Sequence, residues 1–331
     1  MLRIFFLFFL VLIILEIILN SISPSVYESD KTLGWKLKKN FSHQYKKQSL
    51  KKKDYIANFF TNEHGMIEYD NINKPNKTIL VIGDSYSTDP NVGNESFWYT
   101  IMKRKLEKEL NIKINIFASG GGGYGSTQEY LAFKQAIQSV KPDFLILQFC
   151  INDFQNNLLE WEKKNFNFNQ YLRRPYIDNN GNIYTEKNFI DYVPNIISTS
   201  RLFNIFLSRL GNLLSNFYPL DLNSEEMKNI KDNSIKITKI NLEKIYSINN
   251  KIKKIIVNCK EPETEPDIFW KKISKEIGFE VLVNNTIDIK KAIYKGKDIY
   301  SSDGGHYNVI GNEIFGLSVA NEILAKKILS K

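Results

Sequence analysis

Cysteine and histidine are scarce in this chain of 331 residues, which contains two cysteines and three histidines. Two cysteines are too few for a disulfide framework or a cysteine-rich metal cluster. We predict two buried thiols at Cys150 and Cys259. A disulfide stays the alternative, because both residues lie at or just past the ends of predicted strands that could be neighbours in an oxidising compartment. His43 and His64 have no evident partner in the sequence, so any histidine chemistry falls to His306.

Nucleic-acid-binding motifs are also lacking. The formal net charge is +9, but lysines are spread along the whole chain, and no basic helix carries interleaved aromatic residues. We therefore predict no nucleic-acid partner. The content of hydrophobic residues is 43%, with 13% aromatic residues, and the length suffices for one substantial core with a smaller appendage.

One long apolar run stands at the N-terminus. Residues 4–19 are apolar except for Glu16, and the run approaches the roughly 20 residues that a helix needs to span a bilayer. Ser21-Ile22-Ser23 matches a signal-peptide cleavage site poorly. The pattern therefore favours an uncleaved membrane anchor over residues 1–23, with a transmembrane helix, rather than a cleaved signal peptide.

Residues 24–76 are basic and irregular in pattern. We interpret them as a linker and lead-in segment that packs on the main domain. The lysines that follow the anchor oppose Arg3 in setting the membrane orientation, because positive charge is retained on the cytoplasmic side. We expect the C-terminal domain to lie outside the cytoplasm. Such a lysine run is most often a solvated linker, and its alternative role is contact with anionic headgroups or an acidic polymer.

From residue 77 onward, strand and helix patterns alternate. Strands are predicted at 78–82, 112–117, 144–149, 254–258 and 279–283, and helices at 97–110, 126–140, 224–249, 266–277 and 308–329. This alternation predicts an α/β fold, in which a doubly wound, mainly parallel sheet is the middle layer of a three-layer α/β/α sandwich. An insertion at about 158–222, rich in aromatic residues and asparagine, interrupts the domain of residues 77–331 and should lie over the carboxyl edge of the sheet.

Four short blocks are predicted to meet at that carboxyl edge. They are Gly83-Asp84-Ser85, the glycine run of residues 119–125, Asn152-Asp153, and Asp303-Gly304-Gly305-His306. Each block follows a predicted strand or precedes a predicted helix, and the carboxyl ends of parallel strands share one rim of the sheet. Residues far apart in the sequence should therefore lie close together.

These blocks contain the groups that acyl transfer needs. Ser85 is a candidate nucleophile, which requires a base to remove its proton. His306 can act as that base near neutral pH, and Asp303 can hold the imidazole in the correct tautomer. The backbone amides of Ser85 and Gly120 and the side-chain amide of Asn152 could stabilise the oxyanion.

This set of blocks resembles the SGNH/GDSL hydrolase family from about Thr78 to the C-terminus, apart from the insertion. The resemblance implies a flavodoxin-like three-layer fold and assigns the catalytic triad to Ser85, Asp303 and His306. It assigns the oxyanion donors to Ser85, Gly120 and Asn152 and requires no metal or cofactor. Three positions depart from the family pattern, namely Tyr86, Cys150 and Tyr307.

The lead-in is similar to that of membrane-anchored family members that are encoded with extracellular polysaccharide assembly. The similar stretches are residues 30–40 and Thr61-Asn62. The resemblance implies an esterase or acetyltransferase that acts on a carbohydrate or cell-surface polysaccharide. A lipase or phospholipase is one alternative, and a non-catalytic carbohydrate-binding or scaffold protein is another.

The glycine run also fits a dinucleotide-binding fingerprint, Gly120-x-Gly122-x-x-Gly125, between a strand and a helix. That fingerprint requires an acidic residue at the end of the following strand. Here Asp143 stands at the start of that strand instead. The sequence therefore favours the oxyanion role over cofactor binding.

Overall fold

The computed structural model describes residues 2–166, 173–187, 189–221, 223–260 and 266–330. The strands are β1 (Tyr27–Asp30), β2 (Gly34–Leu37), β3 (Ser42–Gln48), β4 (Asp54–Phe60), β5 (Ile67–Glu68), β6 (Lys77–Gly83), β7 (Ile114–Gly120), β8 (Phe144–Phe149), β9 (Pro175–Ile177), β10 (Ile183–Thr185), β11 (Lys253–Asn258) and β12 (Glu280–Leu282). The helices are α1 (Leu2–Ile22), α2 (Ser85–Thr88), α3 (Trp98–Leu110), α4 (Ser126–Ser139), α5 (Asn152–Asn156), α6 (Leu159–Lys164), α7 (Asn195–Ser198), α8 (Arg201–Phe217), α9 (Glu225–Ser247), α10 (Pro266–Ile277), α11 (Asn284–Tyr294) and α12 (Val309–Ala325). Short 3-10 turns lie at Asn94–Ser96, Phe189–Tyr192 and Ile328–Ser330.

A six-stranded sheet forms the centre of the fold, in the order β12-β11-β8-β6-β7-β5. The pairings are parallel except between β5 and β7, where β5 adds an antiparallel edge strand. From β6 the chain proceeds to β7 on one side and then returns to β8 on the other, which is the doubly wound connection. The prediction of a mainly parallel α/β sheet is confirmed.

The strands of the sheet are apolar on both faces because helices cover both. Along β6, Ile79 and Val81 belong to one buried cluster, with side chains of α3, α11 and α12. Leu80 and Ile82 belong to the other, with side chains of α4, α9 and α10. Successive strand residues point to opposite faces, so a short continuous apolar run can serve two core layers at once.

The lead-in consists of paired strands where the sequence pattern indicated an irregular segment. β1 pairs with β2 and β3 with β4, both antiparallel, and β5 joins the central sheet. On β3 only Tyr45 is buried, while the two lysines that follow it, Lys46 and Lys47, are more exposed. One apolar contact in seven residues gives too weak an alternation to identify a strand from sequence.

The predicted membrane anchor is not supported. In the described residues, no helix combines the length and the apolar character that crossing a membrane requires. α1 holds the apolar run, and its single acidic residue, Glu16, contacts the start of α8. The Glu16 carboxylate accepts hydrogen bonds from the Arg201 and Leu202 amides, at 2.7 and 3.0 Å, and from the Ser200 hydroxyl, at 2.9 Å. Glu16 therefore caps the N-terminus of α8.

The two cysteines form a disulfide, so the prediction of two free thiols is wrong. Cys150 directly follows β8 and Cys259 directly follows β11, and these strands are hydrogen-bonded neighbours in the sheet. Their Cα atoms lie 5.3 Å apart, within the usual range for a disulfide. The alternative prediction, a disulfide between cysteines at the ends of neighbouring strands, is therefore confirmed.

Candidate active site

The end of β6 presents a serine at the carboxyl rim of the sheet. The strand stops at Gly83, and Asp84 then caps α2 by accepting a hydrogen bond from the Tyr86 amide at 3.0 Å. This cap fixes Ser85 as the first residue of the short helix. Ser85 is half-buried and lines the cleft above the sheet, so its hydroxyl is held in place but remains accessible.

The structure brings together the three residues that the sequence predicted as a triad. His306 Nε2 lies 2.8 Å from Ser85 Oγ, and His306 Nδ1 lies 2.7 Å from Asp303 Oδ2. The other carboxylate oxygen of Asp303 accepts hydrogen bonds from the amides of Gly305 and His306, at 2.8 and 2.9 Å. The aspartate therefore shapes its own loop as well as orienting the imidazole. The hydrogen-bonded order is serine, histidine, aspartate.

The electrostatics of this pair favour a charged histidine. Burial lowers the pKa of His306, but the hydrogen bond that its ring donates to Asp303 and the charges of Asp89, Asp303 and Asp84 outweigh this effect, so the pKa is raised above 6.5. Burial raises the pKa of Asp303, but the hydrogen bonds from His306 and Gly305 outweigh it, so the net pKa is well below its usual range. Asp303 is therefore ionised throughout the neutral range and stabilises an imidazolium.

Tyr86, one of the departures from the family pattern, supports the histidine loop. Its hydroxyl donates a hydrogen bond to the Gly305 carbonyl, and its ring centroid lies 5.2 Å from that of His306. It also packs edge-on against Tyr307, at 5.0 Å. The larger residue therefore ties the Ser85 turn to the loop that carries the base. The sequence alone does not reveal this role of Tyr86, because the contact joins positions 219 residues apart.

Two of the three predicted oxyanion donors lie at the cleft. The Ser85 amide makes no hydrogen bond within the described part of the chain. Asn152, in the first turn of α5, lines the cleft, and its Nδ2 atom donates to Asp84 Oδ2 at 3.3 Å. This bond uses one of its two amide hydrogens, so the second can face a ligand.

Gly120, the third predicted donor, occupies a different place. It ends β7 directly beside Gly83, and a Cβ atom there would collide with the Gly83 carbonyl oxygen. Among the described residues it lines a separate depression, whereas Gly122 and Gly123 line the cleft that contains Ser85. Close packing against β6 therefore explains why residue 120 is a glycine. The position of Gly120 gives no support to the predicted oxyanion role.

Gly123 has the properties that were expected of Gly120. Its φ of 71° lies in the left-handed region that favours glycine, and its amide makes no hydrogen bond within the described residues. Its carbonyl accepts a hydrogen bond from Asn156 Nδ2 at 3.0 Å, which fixes the peptide. The block Gly123-Tyr124-Gly125 was recognisable in the sequence. The path of the loop, which decides which of the four glycines 120–123 lines the cleft, was not.

The lead-in holds this glycine loop in position. The Gly122 amide donates to the Tyr27 hydroxyl at 2.7 Å, and the Gly122 carbonyl accepts from Trp35 Nε1 at 3.1 Å. The Tyr27 hydroxyl in turn donates to Asp89, just after α2. Tyr27 thus links the loop after β7 to the segment after Ser85. Since Tyr27 occupies the Gly122 amide, that amide is not free for a phosphate as a dinucleotide fingerprint would require.

Three buried carboxylates lie beneath the site. Asp84 holds Asn152, and Asp153 accepts a hydrogen bond from the Cys150 amide at 3.1 Å. Burial, followed by repulsion from Asp153 and Asp84, raises the pKa of Glu129, and burial likewise raises that of Asp153. Asp84 and Asp153 therefore support the turns around the site, through hydrogen bonds from the Tyr86 and Cys150 amides. The described residues contain no group of three or more histidine, cysteine or acidic side chains arranged to hold a metal.

Ser85 and His306 open into a cavity of about 740 Å³. Its walls come from the core domain, from the lead-in, from the end of α1 and from the insertion. Most of the lining side chains carry polar groups, among them those of Asn20, Ser29, Gln155, Asn156 and Asn204, and the two aromatic ones are Tyr27 and Trp35. Polar atoms and carbon atoms are exposed in similar amounts, but among the described residues that line the cavity none is leucine, isoleucine, valine, phenylalanine or methionine.

No family model and no curated protein matches the sequence. Solved structures that match include the psychrotrophic esterase EstA from Pseudoalteromonas sp., with 12% identity and a TM-score of 0.43 over 77% of this chain and 100% of that one. Two others are the acetylxylan esterase Axe2 from Geobacillus stearothermophilus (12%, TM-score 0.42, 75% and 94%) and the lipase Lip_vut3 from a goat rumen metagenome (14%, TM-score 0.37, 74% and 96%). At such low TM-scores and identities, these likenesses carry no argument about the chemistry, for which this chain's own side chains are the basis.

Proposed function

We propose that this protein is a serine-dependent ester hydrolase of the SGNH/GDSL type that acts on an acyl ester, such as an acetyl ester, of a carbohydrate. The observation that carries this proposal is the continuous hydrogen-bonded series Ser85–His306–Asp303 at the floor of an open cleft. A serine hydroxyl within 2.8 Å of an imidazole, which is itself held by a carboxylate, is the arrangement that activates serine as a nucleophile.

In the first half of the reaction, Ser85 Oγ attacks the acyl carbon while His306 Nε2 takes the hydroxyl proton. The oxyanion that forms accepts hydrogen bonds from the amides of Ser85 and Gly123 and from Asn152 Nδ2. Collapse of this intermediate breaks the bond to the sugar oxygen, which leaves with the proton from His306. The acyl group is then bound to Ser85 as an ester.

In the second half, a water molecule gives a proton to His306 and attacks the acyl carbon. His306 then returns that proton to Ser85 Oγ as the bond between Ser85 and the acyl group breaks, which releases the acid and restores Ser85. A sugar hydroxyl in place of water would give acyl transfer with the same residues, so the transferase activity is a variant of one mechanism. Analysis of the products in the presence of acceptor oligosaccharides distinguishes the two, because transfer yields an acylated acceptor.

The polar lining favours a carbohydrate ester over a lipid. A lipase of this kind needs an apolar surface for a long acyl chain, whereas Asn20, Gln155 and Asn204 offer hydrogen-bonding groups to sugar hydroxyls. The aromatic residues Tyr27 and Trp35 suit contact with a sugar ring. Activity should therefore fall as the acyl chain is lengthened. The scaffold alternative is disfavoured, because it has no use for a correctly bonded triad.

We also propose that the domain works outside the cytoplasm. The supporting observation is the disulfide Cys150–Cys259, since disulfides persist mainly in oxidising compartments.

The test is hydrolysis of p-nitrophenyl acetate by the wild type and by Ser85→Ala. We expect kcat/KM to fall by at least about a hundredfold, because the side chain that attacks the acyl carbon is removed. Ser42→Ala, which truncates an exposed serine on β3, is the matched control and should retain full activity. Equal rates for the wild type and Ser85→Ala would refute the proposal.

A further inference from the structure

The cleft that contains Ser85 also contains an unusual share of the chain's arginines. The sequence has six arginines against 39 lysines, yet Arg173 and Arg201 both line this one cavity, together with Lys38. The two arginines come from the insertion and Lys38 from the lead-in, so two separate segments place positive charge around the same space.

These three cations form no ion pair within the described residues. Lys38 Nζ lies over the Phe41 ring, 5.7 Å from its centroid. Arg173 donates through Nη2 to the Ser198 carbonyl, and Arg201 Nε is buried without a hydrogen-bond partner. The Glu16 carboxylate accepts from the backbone amide of Arg201.

The acidic residues of the cleft are engaged elsewhere. The Glu28 Oε1 atom lies 3.9 Å from Lys36 Nζ. Asp89 accepts a hydrogen bond from Tyr27, and burial raises its pKa. Burial also lowers the pKa of Arg173, which means that this guanidinium has lost part of its hydration. Positive charge therefore prevails in a partly enclosed space, which concentrates anions there.

We propose that the cleft selects esters whose carrier bears an anionic group, a carboxylate or a phosphate, next to the acylated hydroxyl. Arg173 and Arg201 are the specificity-determining residues, because a guanidinium presents a planar pair of donors that matches both anions. Lys38 adds charge without such directionality. This inference rests on the proposed function, since it names the class of ester that the same site takes.

The first experiment compares three monoacetylated sugars that differ at one carbon: methyl galactoside, methyl galacturonoside and methyl galactoside 6-phosphate. We expect kcat/KM for at least one charged ester to exceed that for the neutral ester by about tenfold or more, and 0.5 M NaCl to reduce the ratio. Whichever charged ester is preferred identifies the anion as carboxylate or phosphate. Equal kcat/KM values for all three esters would overturn the inference.

The second experiment assigns the preference to the arginines. Arg201→Gln should lower the ratio of kcat/KM for the charged ester to kcat/KM for the neutral ester about tenfold. Arg201→Lys should restore part of this ratio. Arg209→Gln, an exposed arginine of the same helix outside the cleft lining, is the matched control and should leave the ratio unchanged. For Arg173 the variant is Arg173→Lys and not Arg173→Gln, because the hydrogen bond from Arg173 to the Ser198 carbonyl also supports the insertion. An unchanged ratio in both Arg201→Gln and Arg173→Lys would contradict the assignment.

Binding to an inactive variant separates this inference from the proposed function. Calorimetry with Ser85→Ala should show the charged acetylated sugar binding more tightly than the neutral one, and Arg201→Gln in that background should abolish the difference. If no ester is hydrolysed but this difference is present, the proposed function fails and the anion site stands. If the esters are hydrolysed but both sugars bind equally, the hydrolase stands and the anion site fails.

Discussion

His306 is the residue whose protonation state controls the proposed reaction. The imidazole must be neutral to take the Ser85 proton, and it must then be stable as a cation. Asp303 stabilises the cation, but the same contact raises the pKa of His306 above 6.5 and so reduces the fraction of neutral imidazole near that pH. The activity of the free enzyme should therefore rise with pH through that raised pKa.

The pH dependence of kcat/KM for p-nitrophenyl acetate measures this coupling. We expect a rising limb whose midpoint lies above pH 6.5 in the wild type. Asp303→Asn should move the midpoint to lower pH, because the largest favourable contact of the imidazolium is lost, and should reduce kcat/KM about a hundredfold or more. A midpoint that stays the same in Asp303→Asn would show that Asp303 does not set the pKa of the catalytic base.

At this scale, the sequence was most informative about short-range geometry. Asp303 and His306 lie three residues apart on one loop, and Ser85 directly follows a clear strand. Their meeting was predicted because both blocks were placed at the carboxyl edge of one parallel sheet. Gly123 and Tyr86 could not be assigned in the same way. Their roles depend on the path of the glycine loop and on a contact between two distant loops, and neither leaves a periodic signal.

Among the elements, the lead-in strands have the largest effect on the site beyond the core. Tyr27, on β1, accepts a hydrogen bond from the Gly122 amide and donates to Asp89, so one side chain spans two segments of the active site.

Most helices of the core were predicted from the spacing of their apolar residues. The lead-in hairpins were not, because six of the seven residues of β3 are polar and only Tyr45 is buried, which gives no apolar alternation. Helix α11 was absent from the predicted elements.

Tyr27→Phe tests the link between the lead-in and the site. The substitution leaves the Gly122 amide and the Asp89 carboxylate without their partner, which should lower the free energy of unfolding by about 1–3 kcal/mol. Because Gly122 precedes Gly123, kcat should fall as well. Urea denaturation and steady-state kinetics measure the two effects. Tyr294→Phe, which alters a tyrosine that is 93% exposed, is the control. Wild-type stability and kcat in Tyr27→Phe would exclude this support role.

The disulfide acts at the same scale, because it joins the ends of β8 and β11 immediately before α5 and its Asn152. Replacing Cys150 and Cys259 together by alanine opens a loop with a sequence separation of 109 residues. We expect the free energy of unfolding to fall by about 2–4 kcal/mol. Urea unfolding with and without dithiothreitol measures it: the reductant should destabilise the wild type and leave the double variant unchanged. Identical curves for the wild type under both conditions would contradict the proposed stabilisation.

For the whole molecule, the cleft is formed by four parts of the chain, since Asn20 at the end of α1 also lines it. The core domain supplies Ser85 and His306, the lead-in supplies Tyr27 and Lys38, and the insertion supplies the two arginines. The class of fold was predictable, since buried strands alternate with amphipathic helices. The chemistry of the cleft walls was not, because the segments that form them have irregular patterns and meet only in three dimensions.

The proposed function requires that Ser85 is a nucleophile activated by His306. Labelling of the pure protein with a fluorophosphonate, followed by peptide mass spectrometry, tests it most directly, because the probe bonds only to an activated serine. We expect a single modified peptide that contains Ser85 and a greatly slowed reaction in His306→Ala. Modification of a different serine, or no modification of a folded wild-type protein, would contradict it.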